Sequence, residues 1–403
     1  MIMARKTKEI DPQSLPLNGI RVIEFCHVVM GPSCGLVLSE LGADVIKIEP
    51  VPSGDRTRQL KGHIAGSFVY FNRSKRSVGL DLKTDGGKAI AHKLLKTADV
   101  MIENFGPGTA EKLNVGWEEV SKVNPRLIYC ALKGYLPGPY EGWAALDELV
   151  QFSTGLAYMT GPPGNPLRAG SSVVDIMGGT FGAVGILAAL HKRNQTGKGE
   201  KIVSSLYESS AYLVGQHMAG EVQMKRKAEP MPVRPRSWGI YDVFKTKNGK
   251  EIFIGVTSDK QWKSFCQLYE RTDLLETKEF NTNEKRRENH DELYMILQKI
   301  FIKFEYDELL TMLVNNSIPA APVATPSDLF DDPQMNVTGR MSATKFADGT
   351  IAKLPRLPIS VGSGIAQMSG QVPKFAEDTD NVLSEIGVSK EDIKSLKRKG
   401  HIA

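Results

Sequence analysis

The feature that most limits the fold of this chain is a repeated exchange of strand and helix patterns between residues 20 and 135. "IRVIEF" (20–25) reads as a short, mostly apolar strand. "GPSCGLVLSELG" (31–42) follows as a helix, with Pro32 at its start and Gly42 at its end, the punctuation expected of helix termini. "ADVIKIE" (43–49) is a second strand. "DGGKAIAHKLLKTA" (85–98) is a helix that sets Ile90, Leu94 and Leu95 on one face. "DVMIEN" (99–104) and "RLIYCALKGY" (126–135) are the third and fourth strands. Strands separated by helices cannot pair as hairpins. They run parallel, with helices covering both faces of the sheet. The chain is therefore expected to be an α/β protein built on a doubly wound parallel sheet.

Further along, a helix is expected over 176–192, a strand at "EKIVSSL" (200–206) and a helical stretch from 207 to 227. "AEPMPVRPRS" (228–237) holds three prolines and no apolar periodicity, which reads as a linker. "GIYDVFKTKNGKEIFIGV" (239–256) alternates on both sides of Asn248-Gly249, a hairpin signature. With helices at 259–270 and 290–304, residues 238–330 form a small α+β domain. The tail reads as helix–turn–helix. The expected division is 1–227, a linker at 228–237, 238–330, and 331–403.

Several chemistries are set aside early. A net charge of +5 on 403 residues is far from the profile of a dedicated nucleic-acid binder. Cys26, Cys34, Cys130 and Cys266 form no CxxC pair, so a reducing cytoplasm is the expected setting. The start lacks the apolar stretch of a signal peptide, and the most apolar run, 181–190, is shorter than a membrane span needs. The seven histidines never fall at HxH or HExxH spacing, so no metal site is expected. "CHVVMGPSCG" stands where a dinucleotide-binding enzyme has GxGxxG; Glu49, placed like a ribose-binding acid, does not replace those glycines. A Walker loop and a GxSxG elbow are both missing.

One carboxylate remains unexplained. "GSSVVDIMGG" (170–179) puts Asp175 between two valines and two glycines, just before a long apolar run. As an N-cap it accepts backbone N–H bonds at the head of the helix. As a nucleophile it uses the same position, because a helix N-terminus favours the ionised form. Gly178 and Gly179 let a backbone or a ligand approach closely. The two roles coexist.

Taken together, "GIRVIEF", "GPSCGLVLSELGADVIKIEP", "GDRTR", "FNRSKRSVGLDLKTDGGK", "VMIENFGPGTAEKLNVGWEEVSKVNPRLIYCALKGYLPGPY", the Asp175 stretch and "GILAALHKRNQTGKGEKIVSSLYES" resemble the class III, formyl-CoA transferase-like coenzyme A-transferases, the CaiB/BaiF type. The segments fall in family order over residues 19–209. The resemblance implies a Rossmann-like large domain, a small domain, and two subunits interlocked like chain links. It implies that residues 331–403 return to complete the large domain. The substrates are coenzyme A and its acyl thioesters, with no tightly bound cofactor.

The resemblance also implies a mechanism. Asp175 attacks the acyl-CoA carbonyl, giving a mixed anhydride and CoA thiolate. The thiolate then attacks the aspartyl carbonyl, leaving an aspartyl-CoA thioester and the donor acid. The acceptor carboxylate reverses these steps. Matching positions give the CoA contacts: His27 and Met30 after the first strand, Asn104 and Phe105 of "ENFGPG", Lys112, Lys133 of "LKGY", and Arg73, Lys75 and Arg76 for the nucleotide phosphates. A solvated charge run is the other reading of Arg73, Lys75 and Arg76.

The chain departs from the formate/oxalate enzymes at Val29, where they carry Gln, and shows no equivalent of their glycine-rich shielding loop. Arg168, Arg236 and Arg58 are candidate carboxylate-binding groups, which would suit a dicarboxylate such as succinate and a donor such as succinyl-CoA. The related α-methylacyl-CoA racemases need a histidine where this chain has Leu146, followed by Asp147; leucine cannot carry a proton, which disfavours racemisation. A homodimer, or pairing with a paralogue in which only one subunit is active, completes the alternatives.

Overall fold

A computed structural model describes residues 8–10, 14–337, 339–346, 348–360, 364–366 and 370–403. Six strands pair in one parallel sheet: β1 (Arg21–Phe25), β2 (Asp44–Glu49), β3 (Arg76–Gly79), β4 (Val100–Glu103), β5 (Ile128–Lys133) and β6 (Lys201–Ser205). Their spatial order is β3-β2-β1-β4-β5-β6. Strand order reverses between β1 and β4, and in doubly wound sheets the crevice at that point is where ligands bind. The apolar residues of β1, β2, β4 and β5 are buried on both faces, as a covered parallel sheet requires, while β6 at the edge is only partly buried. Along β5 the faces alternate. Ile128, Cys130 and Leu132 join one core, while Tyr129 and Ala131 join the other. β3 is a strand that the sequence reading did not expect; "RSVG" looks like the end of a basic loop.

The helices that matter for the site are α1 (Met30–Glu40), α2 (Asp85–Lys96), α3 (Trp117–Val123), α4 (Asp147–Ser153), α5 (Val173–Thr196) and α6 (Leu206–Met224). Helix α2 ends two residues earlier than predicted. Thr84 caps it, its side chain accepting the Gly87 N–H at 3.1 Å. Helix α5 begins three residues earlier than the predicted 176. By length and apolar composition it could cross a membrane. Here its glycines instead bring it against the sheet and α1. A Cβ at Gly182 would lie 2.7 Å from Leu132 Cδ2, and one at Gly179 would lie 2.5 Å from the Met30 carbonyl oxygen. The close approach expected of Gly178 and Gly179 is thus to the first turn of α1.

The described residues divide into two compact units. The first runs to Val233 and resumes at Pro333; the second is Arg234–Asp332. That smaller unit has a hairpin, β7 (Ile240–Lys245) and β8 (Glu251–Val256), around Gly249 at φ +76°, with β9 (Ala320–Pro322) antiparallel to β8. Helices α7 (Asp259–Leu268), α8 (His290–Phe301) and α9 (Tyr306–Asn315) enclose its own core around Trp262, Phe265 and Phe301. The tail contains α10 (Thr379–Glu385) and α11 (Lys390–Arg398). Val382, Leu383, Ile393 and Ile402 share the core of Ile23, Ile46 and Leu94, and Asp378 accepts the Ser77 N–H of β3 at 2.9 Å.

Candidate active site

The loop after β1 is fixed from three sides. Asn104, at the end of β4, accepts the His27 N–H at 3.0 Å and donates to the His27 carbonyl at 2.8 Å. Thr57 Oγ1 accepts the Val28 N–H at 3.0 Å. Lys47 Nζ donates to the Cys26 carbonyl at 2.6 Å. Val28 sits at φ +62°, a conformation strained for a β-branched residue, and these bonds hold it there. The result is a bridge across the β1–β4 switch point.

A cavity of about 980 Å³ opens at this bridge. Its walls include His27, Met30, Asn104, Phe105, Lys133, Leu146, Asp147 and Asp175. It extends over the β5–β6 face past Tyr129, Ala131, Lys201 and Val203. This size belongs to the range of cofactor and substrate sites. Five of the nine predicted CoA contacts (His27, Met30, Asn104, Phe105 and Lys133) therefore share one cavity with Asp175.

Each has a traceable support. Glu103, buried at the end of β4, accepts the Phe105 N–H at 2.8 Å, the Tyr129 hydroxyl at 3.1 Å and the Lys133 ammonium at 2.8 Å. Lys133 also donates to the Phe105 carbonyl at 2.9 Å. Lys133 thus braces the Asn104-Phe105 turn as well as lining the cavity. Desolvation at the cavity wall outweighs the Asp55 carboxylate and holds the His27 imidazole below its ordinary pKa, so the ring is neutral at pH 7.

The remaining four lie elsewhere. Arg73 is buried; its guanidinium meets Glu40 at 2.7 Å and the Tyr70 and Pro355 carbonyls. Lys75 is buried against Glu24 at 2.7 Å and the Pro32 carbonyl at 3.0 Å. Arg76 is bound by Asp44 and Glu385 at 2.6 Å each. These charges are matched by carboxylates within the unit and are not offered to a nucleotide phosphate, which corrects the reading of this cluster. Lys75 still serves the site, since it ties β1 to the first turn of α1. Lys112 is exposed and lies outside the cavity wall. Lys201, which the sequence reading passed over as the start of a strand, is an exposed cavity lysine without an ion pair among the described residues.

The three arginines proposed for a carboxylate substrate do not line the cavity either. Arg58 pairs with both oxygens of Glu49, which accounts for that acid, and stacks on Phe68. Arg168 faces Glu148 at 3.7 Å. Arg236 pairs with Asp242 in the smaller unit.

Asp175 is not the cap of its helix. It sits in the first turn of α5, whose N-cap Ser172 makes no side-chain bond. The cap comes from Asp147, at the start of α4. Its Oδ2 accepts the N–H groups of Val174 at 2.8 Å and Asp175 at 3.1 Å, while Oδ1 accepts from Gln151 at 2.6 Å. The carboxylate of Asp175 is left with no hydrogen bond or ion pair among the described residues, facing the cavity. Burial first, and the Asp147 carboxylate second, push its pKa up to about 7. The helix terminus was expected to keep it fully ionised. A terminus contributes at most about 2 kcal/mol in partly buried settings, and desolvation with a like charge exceeds that here.

A doubly wound α/β unit with a cavity at its switch point and a bare carboxylate in the cavity wall defines an enzyme-like site for a nucleotide-bearing ligand. The family follows from comparison. The model of CoA-transferase family III matches residues 17–379, and the chain belongs to that family. It is 33% identical over 384 residues to a succinate–glutarate CoA-transferase of Agrobacterium fabrum, covering 92% of this chain and 96% of the relative. It is 32% identical over 402 residues to the beta subunit of a succinyl-CoA–L-malate CoA-transferase of Chloroflexus aurantiacus, covering 96% and 98%. The crystal structure of a CaiB/BaiF family protein from Brucella suis superposes with a TM-score of 0.82 at 30% identity, covering 92% of this chain and 99% of that one. The protein is a family III CoA-transferase acting on CoA thioesters.

Proposed function

We propose that the protein moves CoA from succinyl-CoA to a second carboxylic acid through covalent intermediates on Asp175. The observation that carries this reading is the Asp175 carboxylate, which faces the cavity with no hydrogen-bond partner while Asp147 takes the helix cap. A carboxylate with no protein donor is a stronger nucleophile than one held by donors. Ionised Asp175 adds to the thioester carbonyl; the C–S bond breaks and CoA leaves as thiolate. The thiolate adds to the aspartyl carbonyl of the anhydride, and the donor acid departs as carboxylate. The acceptor carboxylate then attacks the aspartyl-CoA thioester, and the returning thiolate takes the acceptor's acyl group, which frees Asp175. The first-turn amides of α1, at Met30 and Gly31, have no intrahelical acceptors and suit the tetrahedral oxyanions.

Succinyl-CoA is chosen because one relative is named for succinate and the other for succinyl-CoA. Since Arg58, Arg168 and Arg236 are engaged outside the cavity, the distal carboxylate is assigned to none of them. The four buried free thiols support a reducing, cytoplasmic setting. Tyr212, Met218 and Val222 leave an uncovered apolar surface along α6. That surface supports an interlocked dimer with a second copy or with a paralogue; the Chloroflexus relative is itself named as a beta subunit.

The test is trapping. With succinyl-CoA, hydroxylamine should convert Asp175 to its hydroxamate, found by peptide mass spectrometry, and Asp175→Ala should abolish CoA exchange. Exchange in that variant above a trace rules the reading out.

A further inference from the structure

The covalent reading makes a demand that the cavity must meet: an anhydride on Asp175 is lost if water reaches it. Two large apolar side chains, Leu146 and Trp143, stand at the cavity wall. Leu146 is 66% exposed and Trp143 is 59% exposed, yet both line the cavity with Asp175. Leu146 is joined through the next peptide bond to Asp147, whose carboxylate accepts the Asp175 N–H at 3.1 Å. The loop carrying both residues has a fixed base. Gly134 and Ala145 touch so closely that a Cβ at 134 would collide with Ala145, and the Gly134 carbonyl accepts the Tyr207 N–H at 2.9 Å. Tyr140 packs on Tyr207 at 6.0 Å and on Trp143 at 4.4 Å between ring centroids. The indole is therefore held at a defined place by an aromatic stack, while its outer surface stays open.

We propose that Leu146 and Trp143 are the shield of this active site: an apolar rim that keeps water from the acyl–Asp175 anhydride and so sets the ratio of transfer to hydrolysis. This rests on the covalent role of Asp175. The reaction they suppress is fully specified. Water oxygen bonds to the acyl carbon, and the bond from that carbon to the Asp175 carboxylate oxygen breaks. Of the two protons set free, one goes to the CoA thiolate and one to solvent. The products are the free acid, CoA thiol and the restored carboxylate. The shield replaces the glycine-rich loop that the sequence does not show, and it uses hydrophobic cover in place of backbone.

The experiment compares two rates for each protein with succinyl-CoA. One is CoA thiol release without acceptor, read with a thiol reagent. The other is formation of glutaryl-CoA with glutarate present, read by mass spectrometry. Trp143→Ala and Leu146→Ala should raise the hydrolysis-to-transfer ratio by about tenfold, and Trp143→Phe and Leu146→Met should keep the wild-type ratio. Hydrolysis in H₂¹⁸O should label the released succinate. Both side chains are exposed, so the alanine variants are expected to fold, and circular dichroism checks this. An unchanged ratio in both alanine variants overturns the shield, and so does a changed oligomeric state with an unchanged ratio, which would assign the rim to a subunit contact. Loss of the covalent reading is distinguishable: it appears as transfer surviving in Asp175→Ala, or as no transfer by the wild type, whatever the rim variants do.

Discussion

Replacing Asp175 by Asn should abolish transfer and at the same time stabilise the protein. Asparagine keeps the shape and removes the charge. The Asp175 carboxyl moves from an ordinary value of 3.8 up to about 7, a rise caused by burial and by Asp147. The folded state therefore holds the proton more tightly than the unfolded chain. Between pH 4 and 7 the unfolded chain has lost this proton while the folded one keeps it, so stability falls as pH rises through that window. Above pH 7 the full penalty of the ionised group is present. At about 1.4 kcal/mol per unit, a three-unit rise sets an upper bound near 4 kcal/mol; partial access to water reduces it to about 1–2 kcal/mol. For a chain of this size, that is a thermal midpoint higher by about 1–2 °C in the variant at pH 8. The assay is differential scanning fluorimetry of both proteins from pH 4 to 8, in one buffer series and at one protein concentration. The difference should grow from near zero at pH 4 to its full value above pH 7. A variant that is equally stable at every pH, or less stable at pH 8, refutes the claim that this partly desolvated, unpaired carboxylate costs the fold stability.

Three other outcomes follow from the same geometry. Transfer by the wild type should fall about tenfold per pH unit below pH 7, because only ionised Asp175 attacks; Asp147→Asn removes the neighbouring charge, so the midpoint of its kcat/KM profile should move to lower pH. Gly179→Ala should cost about 1–3 kcal/mol and lower kcat, since the added methyl presses on Ser33 Oγ and the Met30 carbonyl, read by denaturant melts beside initial rates. Arg73→Ala should cost about 3–5 kcal/mol by leaving Glu40 buried without its partner, whereas a phosphate-binding role would raise the KM for CoA esters in folded protein instead.

Much of the fold could be read from local pattern. Five of the six sheet strands announce themselves as apolar runs, β3 being the exception, and α1 and α2 are marked by Pro32 and Gly42 at the ends of the first and by Ile90, Leu94 and Leu95 on one face of the second. The pairings of charges could not be read this way. Arg73, Lys75 and Arg76 look like one solvated run. Their partners are 33, 51 and, for Arg76, 32 and 309 residues distant, on α1, β1, β2 and α10. A basic residue at a strand edge and one bound for a phosphate have the same sequence signature; only the fold shows which carboxylates reach them.

The capping role expected of Asp175 fails for a related reason. Residue type and position made it a cap, but capping is a matter of which carboxylate the amides reach, and a residue 28 positions earlier gets there first. On the proposed covalent role of Asp175, that exchange of caps is what leaves the nucleophile free. Had Asp175 capped its own helix, its oxygens would be held by N–H groups, its pKa lowered and its nucleophilicity reduced. With Asp147 doing the capping, the N-terminus of α5 is satisfied, and a second carboxylate is placed beside Asp175 that raises its pKa further. The helix is secured by one acid, and the next is left unpaired, as the proposed covalent role requires. This explains why a chain would keep two carboxylates close together at one helix start, where a single cap is enough for folding.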